Sequence, residues 1–141
     1  MNRSLRPLLA TTIIFVLTYV LAVFQFPALF STRVVGNLLT DNAFLGIAAV
    51  GMTFVIISGG IDLSVGAVIG FTTVLNAVLI MWLGLHPLFA FAISLAVAAV
   101  FGAIMGAAVH YLKVPSFIVT LAGMFLARGG ASVLSPDSIG I

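Results

Sequence analysis

The stretch Val55–Gly70 reads VIISGGIDLSVGAVIG and places one acid, Asp62, in the middle of a long apolar tract. Asp62 is the only charged side chain between Asp41 and Lys113. Two glycines precede it, and a serine lies on either side. The pattern predicts that one apolar helix ends here and another begins, because glycine is the residue that most often ends a helix. Both flanks are long enough in apolar residues to form membrane spans.

The composition of the whole chain indicates that lipid is its outer solvent. Of its 141 residues, 63% are hydrophobic and 6% are charged, whereas a soluble domain carries about 25% charged residues. We therefore expect an integral membrane protein without a soluble domain. The net charge of +2 comes from basic residues spread along the chain, and a nucleic-acid-binding protein needs them clustered on one face. The absence of cysteine from the sequence excludes a disulfide framework.

Five segments approach the roughly 20 residues that a helix needs to cross a bilayer. We predict an all-α polytopic transmembrane helix bundle, and an uncleaved first span rather than a signal peptide, since the first apolar run is too long for one. The fifth segment is short or broken, because only 13 residues precede Arg128 and two glycines. It is either a half-helix packed inside protein or a full span whose end is stretched by a snorkelling Arg128. Pro87 suits the first position of the fourth segment. The predicted spans are residues 8–26, 38–57, 63–83, 87–109 and 115–127.

The distribution of basic residues predicts the orientation of these spans. With the N-terminus inside, Arg3, Arg6 and Lys113 lie on the cytoplasmic side, and Arg33 and Arg128 lie outside. Because cytoplasmic loops carry the excess of Lys and Arg, we predict a cytoplasmic N-terminus.

No combination of residues predicts a catalytic, cofactor-binding or metal site. His86 and His110 lie at opposite ends of the fourth predicted span, about 36 Å apart along a helix. Asp41 and Asp62 flank the second span, about 32 Å apart by the same measure. No His or Cys pair has the spacing of metal ligands, and no glycine-rich phosphate loop is present.

Small residues recur at every fourth position in the third and fourth predicted spans. Such stripes let helices approach closely in lipid, so they predict either ordinary packing within the bundle or a homodimer face. Asn76 lies beside the first stripe, and we expect it to donate a hydrogen bond between helices. We expect Ala90 to face lipid. The glycines of the stripes are Gly66, Gly70, Gly102 and Gly106.

The polar turn around Asp62 has two interpretations, which are compatible. In one, the glycines end the preceding helix, and Asp62 or Ser64 caps the next helix by accepting a backbone N–H. In the other, the acid faces a polar cavity or a partner subunit, because ionisable groups at membrane depth are costly and usually functional. The residues concerned are Ser58, Gly59, Gly60, Asp62 and Ser64.

Two segments also resemble a known family. Residues 42–74, NAFLGIAAVGMTFVIISGGIDLSVGAVIGFTTV, resemble the signature hairpin of permease subunits in bacterial sugar-importing ABC transporters of the ribose and galactofuranose branch. Residues 112–134, LKVPSFIVTLAGMFLARGGASVL, resemble the next landmark of that family. With FPALFSTRVVGNLLTDNAFLGI at residues 26–47, the chain is most similar to the galactofuranose members.

The resemblance implies that residues 1–141 are the N-terminal part of a permease domain in the bacterial inner (plasma) membrane. Such a subunit moves a galactofuranose-like or ribose-like monosaccharide and is not itself an enzyme. The implied partners are an ABC ATPase subunit that binds ATP, a periplasmic sugar-binding protein, and a second permease subunit, identical or different, with membrane lipid around them. No cofactor is implied on this chain.

Members of that family are much longer, so the resemblance also implies a truncated chain. The alternative function class is a small structural or assembly membrane protein, or an oligomeric pore without transport coupling.

Overall fold

The computed structural model describes residues 5–135, and within that range every regular element is helical. The range divides into two compact units whose boundary falls between Ile47 and Ala48. The α-helices are α1 (Leu5–Gln25), α2 (Thr32–Asp41), α3 (Ala43–Ile57), α4 (Val65–Met81), α5 (Pro87–Leu112) and α6 (Ser116–Leu134), with a 3-10 helix at Pro27–Phe30 between α1 and α2. The first four residues, including Arg3 of the orientation prediction, lie outside the described range.

The first unit is built around α1, whose polar side chains are satisfied locally. Three threonines of α1 each donate a hydrogen bond to the carbonyl four residues earlier. Such bonds let hydroxyl groups enter an apolar environment without an unpaired donor. The hydroxyl of Tyr19 donates to the carbonyl of Leu29 (3.2 Å), which fastens the 3-10 helix to α1. Ser31 caps α2 by accepting the N–H of Val34 (3.3 Å).

The second predicted span is broken at Asn42. The side-chain amide of Asn42 donates to the carbonyl of Leu38 (2.8 Å), while its own carbonyl accepts the N–H of Leu45 (3.0 Å). Asn42 therefore closes α2 and opens α3, and the two helices are bent by 48°. A continuous span over 38–57 was the wrong prediction, because the asparagine amide competes with the backbone for the last carbonyls of α2.

The second unit is a three-helix arrangement in which α4 packs against both α5 and α6, and α5 packs against α6. The helices α4 and α6 run in the same direction: Leu63, before α4, bonds to Thr120 early in α6, and Phe71 lies against Gly130 farther along both helices. The helix α5 begins at Pro87, as predicted, and the imidazole Nδ1 of His86 accepts the N–H of the second helical residue (3.3 Å).

The buried residues of this unit are small, which allows the three helices to lie close together. Ala77, Ala90 and Ala127 are buried, so the prediction that Ala90 faces lipid was wrong. Buried Ser94 donates a hydrogen bond to the side-chain oxygen of Asn76 (3.0 Å). Asn76 therefore does join two helices, α4 and α5, but as the acceptor and not as the predicted donor.

The closest helix approaches occur at glycines other than those of the predicted stripes. A side chain at Gly123 of α6 would collide with Met105 of α5, and one at Gly130 would lie 3.0 Å from the ring of Phe71. A Cβ atom added at any of the predicted stripe glycines would meet nothing within 4 Å. The stripe glycines therefore make no close helix contact within the described residues, in contrast to the packing predicted for them inside this bundle. The glycines concerned are Gly66, Gly70, Gly102 and Gly106.

The number of complete spans also differs from the prediction of five. By length and apolar composition, α1, α5 and α6 can each cross a membrane, and the bent pair α2–α3 adds a fourth if it forms one span. The helix α4 has 17 residues, about 26 Å at 1.5 Å per residue, against a hydrocarbon core of about 30 Å. The fifth predicted span is neither short nor broken, because α6 continues through Arg128 and two glycines to Leu134.

Candidate functional site

The candidate site begins where two glycines end α3. Gly59 has a φ of +76°, a left-handed conformation that glycine adopts without steric cost. Its N–H donates to the carbonyl of Ile56 (3.0 Å), and the N–H of Gly60 donates to the carbonyl of Val55 (2.9 Å). This pair of bonds is a Schellman motif, which ends a helix and satisfies its last carbonyls. The hydroxyl of Ser58 donates to the same carbonyl of Val55 (2.7 Å).

After the glycines the chain does not turn directly into α4 but runs without helical structure as far as Ser64. This segment is bonded to the first turns of α6. The N–H of Ile61 donates to the hydroxyl of Ser116 (3.0 Å), and the N–H of Leu63 donates to the hydroxyl of Thr120 (3.2 Å). The Thr120 hydroxyl also lies within donating distance of the carbonyl of Ile61 (3.1 Å).

The spacing of the backbone N–H groups in the segment before α4 matches the spacing of the hydroxyl groups on α6. Alternate residues of an extended chain are about 6.6 Å apart, and residues four apart on a helix are about 6 Å apart along its axis. Two backbone N–H groups, of Ile61 and Leu63, therefore meet two hydroxyl groups on one face of α6. Non-helical backbone at membrane depth is tolerated only where protein or water satisfies it. Here the hydroxyl groups of Ser116 and Thr120 accept the hydrogen bonds of those backbone N–H groups.

The carboxylate of Asp62 accepts its hydrogen bonds from Ser64 rather than from α6. Its Oδ1 atom accepts the backbone N–H of Ser64 (2.7 Å) and the hydroxyl of Ser64 (2.6 Å). Ser64 is the residue before the first turn of α4 and is 1% exposed, and its side chain makes no bond to the helix itself. The arrangement is a local Asx-type turn that places a carboxylate near the N-terminus of α4, where helix dipoles favour negative charge.

A polar groove of about 700 Å³ opens between this segment and α5. One wall contains Asp62 and the backbone of Gly59 and Gly60. The other wall is a face of α5 that carries Gly102 and Gly106. The last turn of α5 brings His110 to the groove, and the loop between α5 and α6 brings Lys113. The groove residues that bear on its chemistry are Ser58, Gly59, Gly60, Asp62, Gly102, Gly106, His110 and Lys113.

Lys113 holds an unusual backbone conformation at this groove. Its φ is +55°, and it is the only residue other than glycine with a positive φ in the described chain. A left-handed conformation costs an L-residue roughly 1–2 kcal/mol. The conformation ends α5 and turns the chain toward Pro115, so that α6 can begin beside the segment that contains Asp62.

The structure brings together some of the predicted residues and separates others. The polar-turn residues Ser58, Gly59, Gly60 and Asp62 share the groove with Gly102 and Gly106 of α5, which the sequence analysis had assigned to helix packing. Another groove, of about 380 Å³, contains Gly66 and Gly70 beside Arg128 of α6. Whether the polar turn acts as a cap, as a coupling element or as both stays a prediction.

Sequence reasoning missed Ser116 and Thr120, the two residues that hold the extended segment. Their signal was present: two hydroxyl side chains four residues apart, at the start of a helix and separated by apolar residues only, lie on the same face. Because Thr120 is buried, that face points into the protein.

The chain also matches known proteins. The family described as "Branched-chain amino acid transport system / permease component" matches residues 34–136. Over 96% of its length the chain is 57% identical to the inner membrane ABC transporter permease protein YjfF of Escherichia coli K12. It is 38% identical over 99% of its length to the fructose import permease protein FruG of Bifidobacterium longum, and 49% identical over 72% to the xylose transport system permease protein XylH of E. coli K12.

The chain is shorter than these relatives. The matched regions make up 41% of YjfF, 41% of FruG and 26% of XylH. No solved structure matches the chain.

Proposed function

The chain belongs to the family of permease components of branched-chain amino acid transport systems, and from this membership we propose that it is part of the membrane-spanning permease subunit of an ABC importer. We propose a monosaccharide as the cargo. The observation that carries the proposal is the similarity to permeases over 72% to 99% of the chain, two of which are named for the sugars fructose and xylose.

The geometry is consistent with a transport path rather than with an enzyme. Asp62, Lys113 and His110 line one open groove in a largely apolar bundle. Polar and ionisable groups at membrane depth usually face a water-filled cavity or a partner. A groove of this kind offers hydrogen-bonding groups to a polar solute that crosses the membrane.

The proposal includes the partners that an importer of this class requires. A partner ABC ATPase binds and hydrolyses ATP, a periplasmic binding protein delivers the sugar, and a second permease subunit, identical or different, completes the pore. The proposal assigns no cofactor to this chain. The protein is a membrane protein, and we propose the bacterial inner membrane with the N-terminus in the cytoplasm.

Uptake of labelled sugars tests the proposed function. Cells that lack the endogenous permease would express a complete permease containing this chain, together with its ATPase and binding protein. We expect uptake of one member of a panel of galactofuranose, ribose, xylose, fructose and galactose, and loss of uptake when the ATPase carries an inactivating substitution. Uptake of none of these sugars, or uptake without a working ATPase, would favour the alternative of an uncoupled pore or an assembly protein.

Cysteine labelling tests the orientation. The chain has no cysteine of its own, so single cysteines at Ser4, Leu85 and Lys113 can be compared directly. We expect a membrane-impermeant thiol reagent added outside intact cells to modify only the cysteine at position 85. Modification at position 113 from outside would contradict the proposed orientation.

A further inference from the structure

The carboxylate of Asp62 has one oxygen that the fold does not use. Both hydrogen bonds from Ser64 end on Oδ1, and Oδ2 accepts none from the residues that the structure describes. A carboxylate has acceptor capacity on both oxygens. Since Asp62 is half-buried and lines the groove, its Oδ2 atom is available to a ligand there.

The opposite wall of the groove has space for that ligand. Gly102 and Gly106 lie one turn apart on α5, and a Cβ atom added to either would meet nothing within 4 Å. Met105 and Val109 flank them with apolar surface. The wall is therefore a strip of helix backbone without side chains, and its width depends on these two positions remaining glycine.

Hydrogen-bond donors lie at one end of the same groove. The ammonium group of Lys113 carries three donors, and the imidazole of His110 carries at least one. A ligand whose groups both donate and accept hydrogen bonds fits an acid on one wall and donors at the end. The hydroxyl groups of a sugar have this property.

We infer that this groove is a transit site for a monosaccharide, in which Asp62 accepts and Lys113 donates hydrogen bonds to its hydroxyl groups. The inference rests on the proposed function and assigns to this chain a direct contact with the cargo. Among the described residues that line the groove there is no Phe, Tyr or Trp, so none of these large aromatic rings holds the sugar. Weak contact suits transit, because a conducted solute must leave as readily as it enters.

Protection of a cysteine at Gly106 is the first test. In membranes opened to the reagent on both faces and containing the complete transporter, we expect a charged methanethiosulfonate reagent to modify Gly106→Cys. The transported sugar should slow that modification, and a stereoisomer that is not transported should leave it unchanged. The matched control is Gly51→Cys on α3, which is equally open but lies outside the groove, and its reaction should not depend on sugar.

Two outcomes of this experiment would overturn the inference. A cysteine at position 106 that does not react shows that other protein covers the groove. A reaction rate that the transported sugar does not change shows that the groove is open but is not on the path of the sugar.

Removal of the charge at Asp62 is the second test. Asp62→Asn keeps a side-chain oxygen for the N–H of Ser64, so the permease should accumulate at its normal level. We expect sugar uptake per permease to fall about tenfold or more, the loss expected when a charged hydrogen-bond partner is removed. Asp41→Asn, at an exposed acid outside the groove, should transport like the unmodified permease.

The two proposals fail in different ways. If the unmodified transporter takes up none of the tested sugars, the proposed function fails. If it takes up a sugar, and Asp62→Asn takes it up equally well, the transit site is wrong and the proposed function stands.

Discussion

Two sets of glycines in the second unit differ in what surrounds them, although both lie on apolar helices. Gly123 of α6 lies against Met105 of α5, and Gly130 of α6 lies against Phe71 of α4. The stripe glycines of α4 and α5 have open space where a side chain would be; they are Gly66, Gly70, Gly102 and Gly106. Spacing of small residues shows that a helix is able to pack closely, but the arrangement of the whole bundle decides which glycine is covered.

The face of α6 explains this difference. Its buried residues Thr120, Gly123 and Ala127 recur at intervals of three and four, the period of one helix face. That face is turned toward α4 and α5, whereas the stripe glycines of α5, Gly102 and Gly106, both line the groove beside Asp62. Gly123 and Gly130 thus allow α6 to pack closely against α5 and α4. The stripe glycines leave space that the neighbouring helices do not fill.

The largest expected effect is on the close contact between α5 and α6. Gly123→Leu would force Met105 and the two helices apart, and overpacking typically costs about 1–3 kcal/mol; we expect the upper part of this range. The matched control, Gly102→Leu, places the same side chain on an open face and should change stability little. Thermal unfolding of the 141-residue chain in detergent measures both variants. Equal losses of stability in Gly123→Leu and Gly102→Leu would show that the two glycines do not differ in how closely they are packed.

The next effect concerns the hydroxyl groups that hold the extended segment. Thr120→Val conserves shape but leaves the N–H of Leu63 without a partner, and an unsatisfied buried group costs about 1–3 kcal/mol. Thr73→Val is the control, because the exposed hydroxyl of Thr73 bonds only to the carbonyl of Ile69 in its own helix. Thermal unfolding in detergent should separate the two variants. If Thr73→Val destabilises as much as Thr120→Val, the bonds to Thr120 do not hold the segment.

A smaller effect, of opposite sign, is expected at an open glycine. Gly102→Ala should stabilise the 141-residue chain by about 0.5–1 kcal/mol, because glycine in a helix interior is less favourable than alanine by this amount. The stability effect of Gly102→Ala should also be measured in a complete permease and compared with the effect in the 141-residue chain. A loss of stability there, measured by unfolding in detergent, would show that another part of the permease or a second copy packs against Gly102.

The smallest effect is expected at the polar contact between α4 and α5. Ser94→Ala removes the hydroxyl that donates to Asn76, and hydrogen bonds between membrane helices contribute about 0.6 kcal/mol on average. Unfolding of this variant should therefore shift less than that of Thr120→Val. A shift larger than that of Thr120→Val would mean that the hydrogen bond between Ser94 and Asn76 contributes more to the stability of the bundle than the bonds to Thr120.

Much of the fold could be predicted from composition and apolar runs. The start of α5 at Pro87 and the end of α3 before its two glycines follow from local backbone preferences, and the structure has them there. The break at Asn42 was missed, because a local hydrogen bond from the asparagine amide closes α2 and hydropathy does not register such a bond. The continuation of α6 through Arg128 to Leu134 was one of two alternatives that the sequence left open.

The candidate site was only half predictable. A lone acid between glycines and serines indicated that Asp62 matters, because a charge in an apolar tract is expensive. Its partners could not be deduced, since Lys113 and the glycines of α5 are distant in sequence and reach the groove only through the packing of α5 and α6. Thr120 was overlooked for the same reason: its neighbours Ile61 and Leu63 are 59 and 57 residues away.

By itself the sequence determined that this chain is a helical membrane protein, where most of its helices begin and end, and that a single acid, Asp62, interrupts its long apolar tract. These properties depend on local hydropathy and backbone preference, which act over a few residues. Only the tertiary structure decided which glycines are covered, that the segment around Asp62 is extended, and that hydroxyl groups of α6 satisfy its backbone. Those outcomes depend on which helix faces meet, because satisfying backbone groups in lipid requires partners from distant parts of the chain.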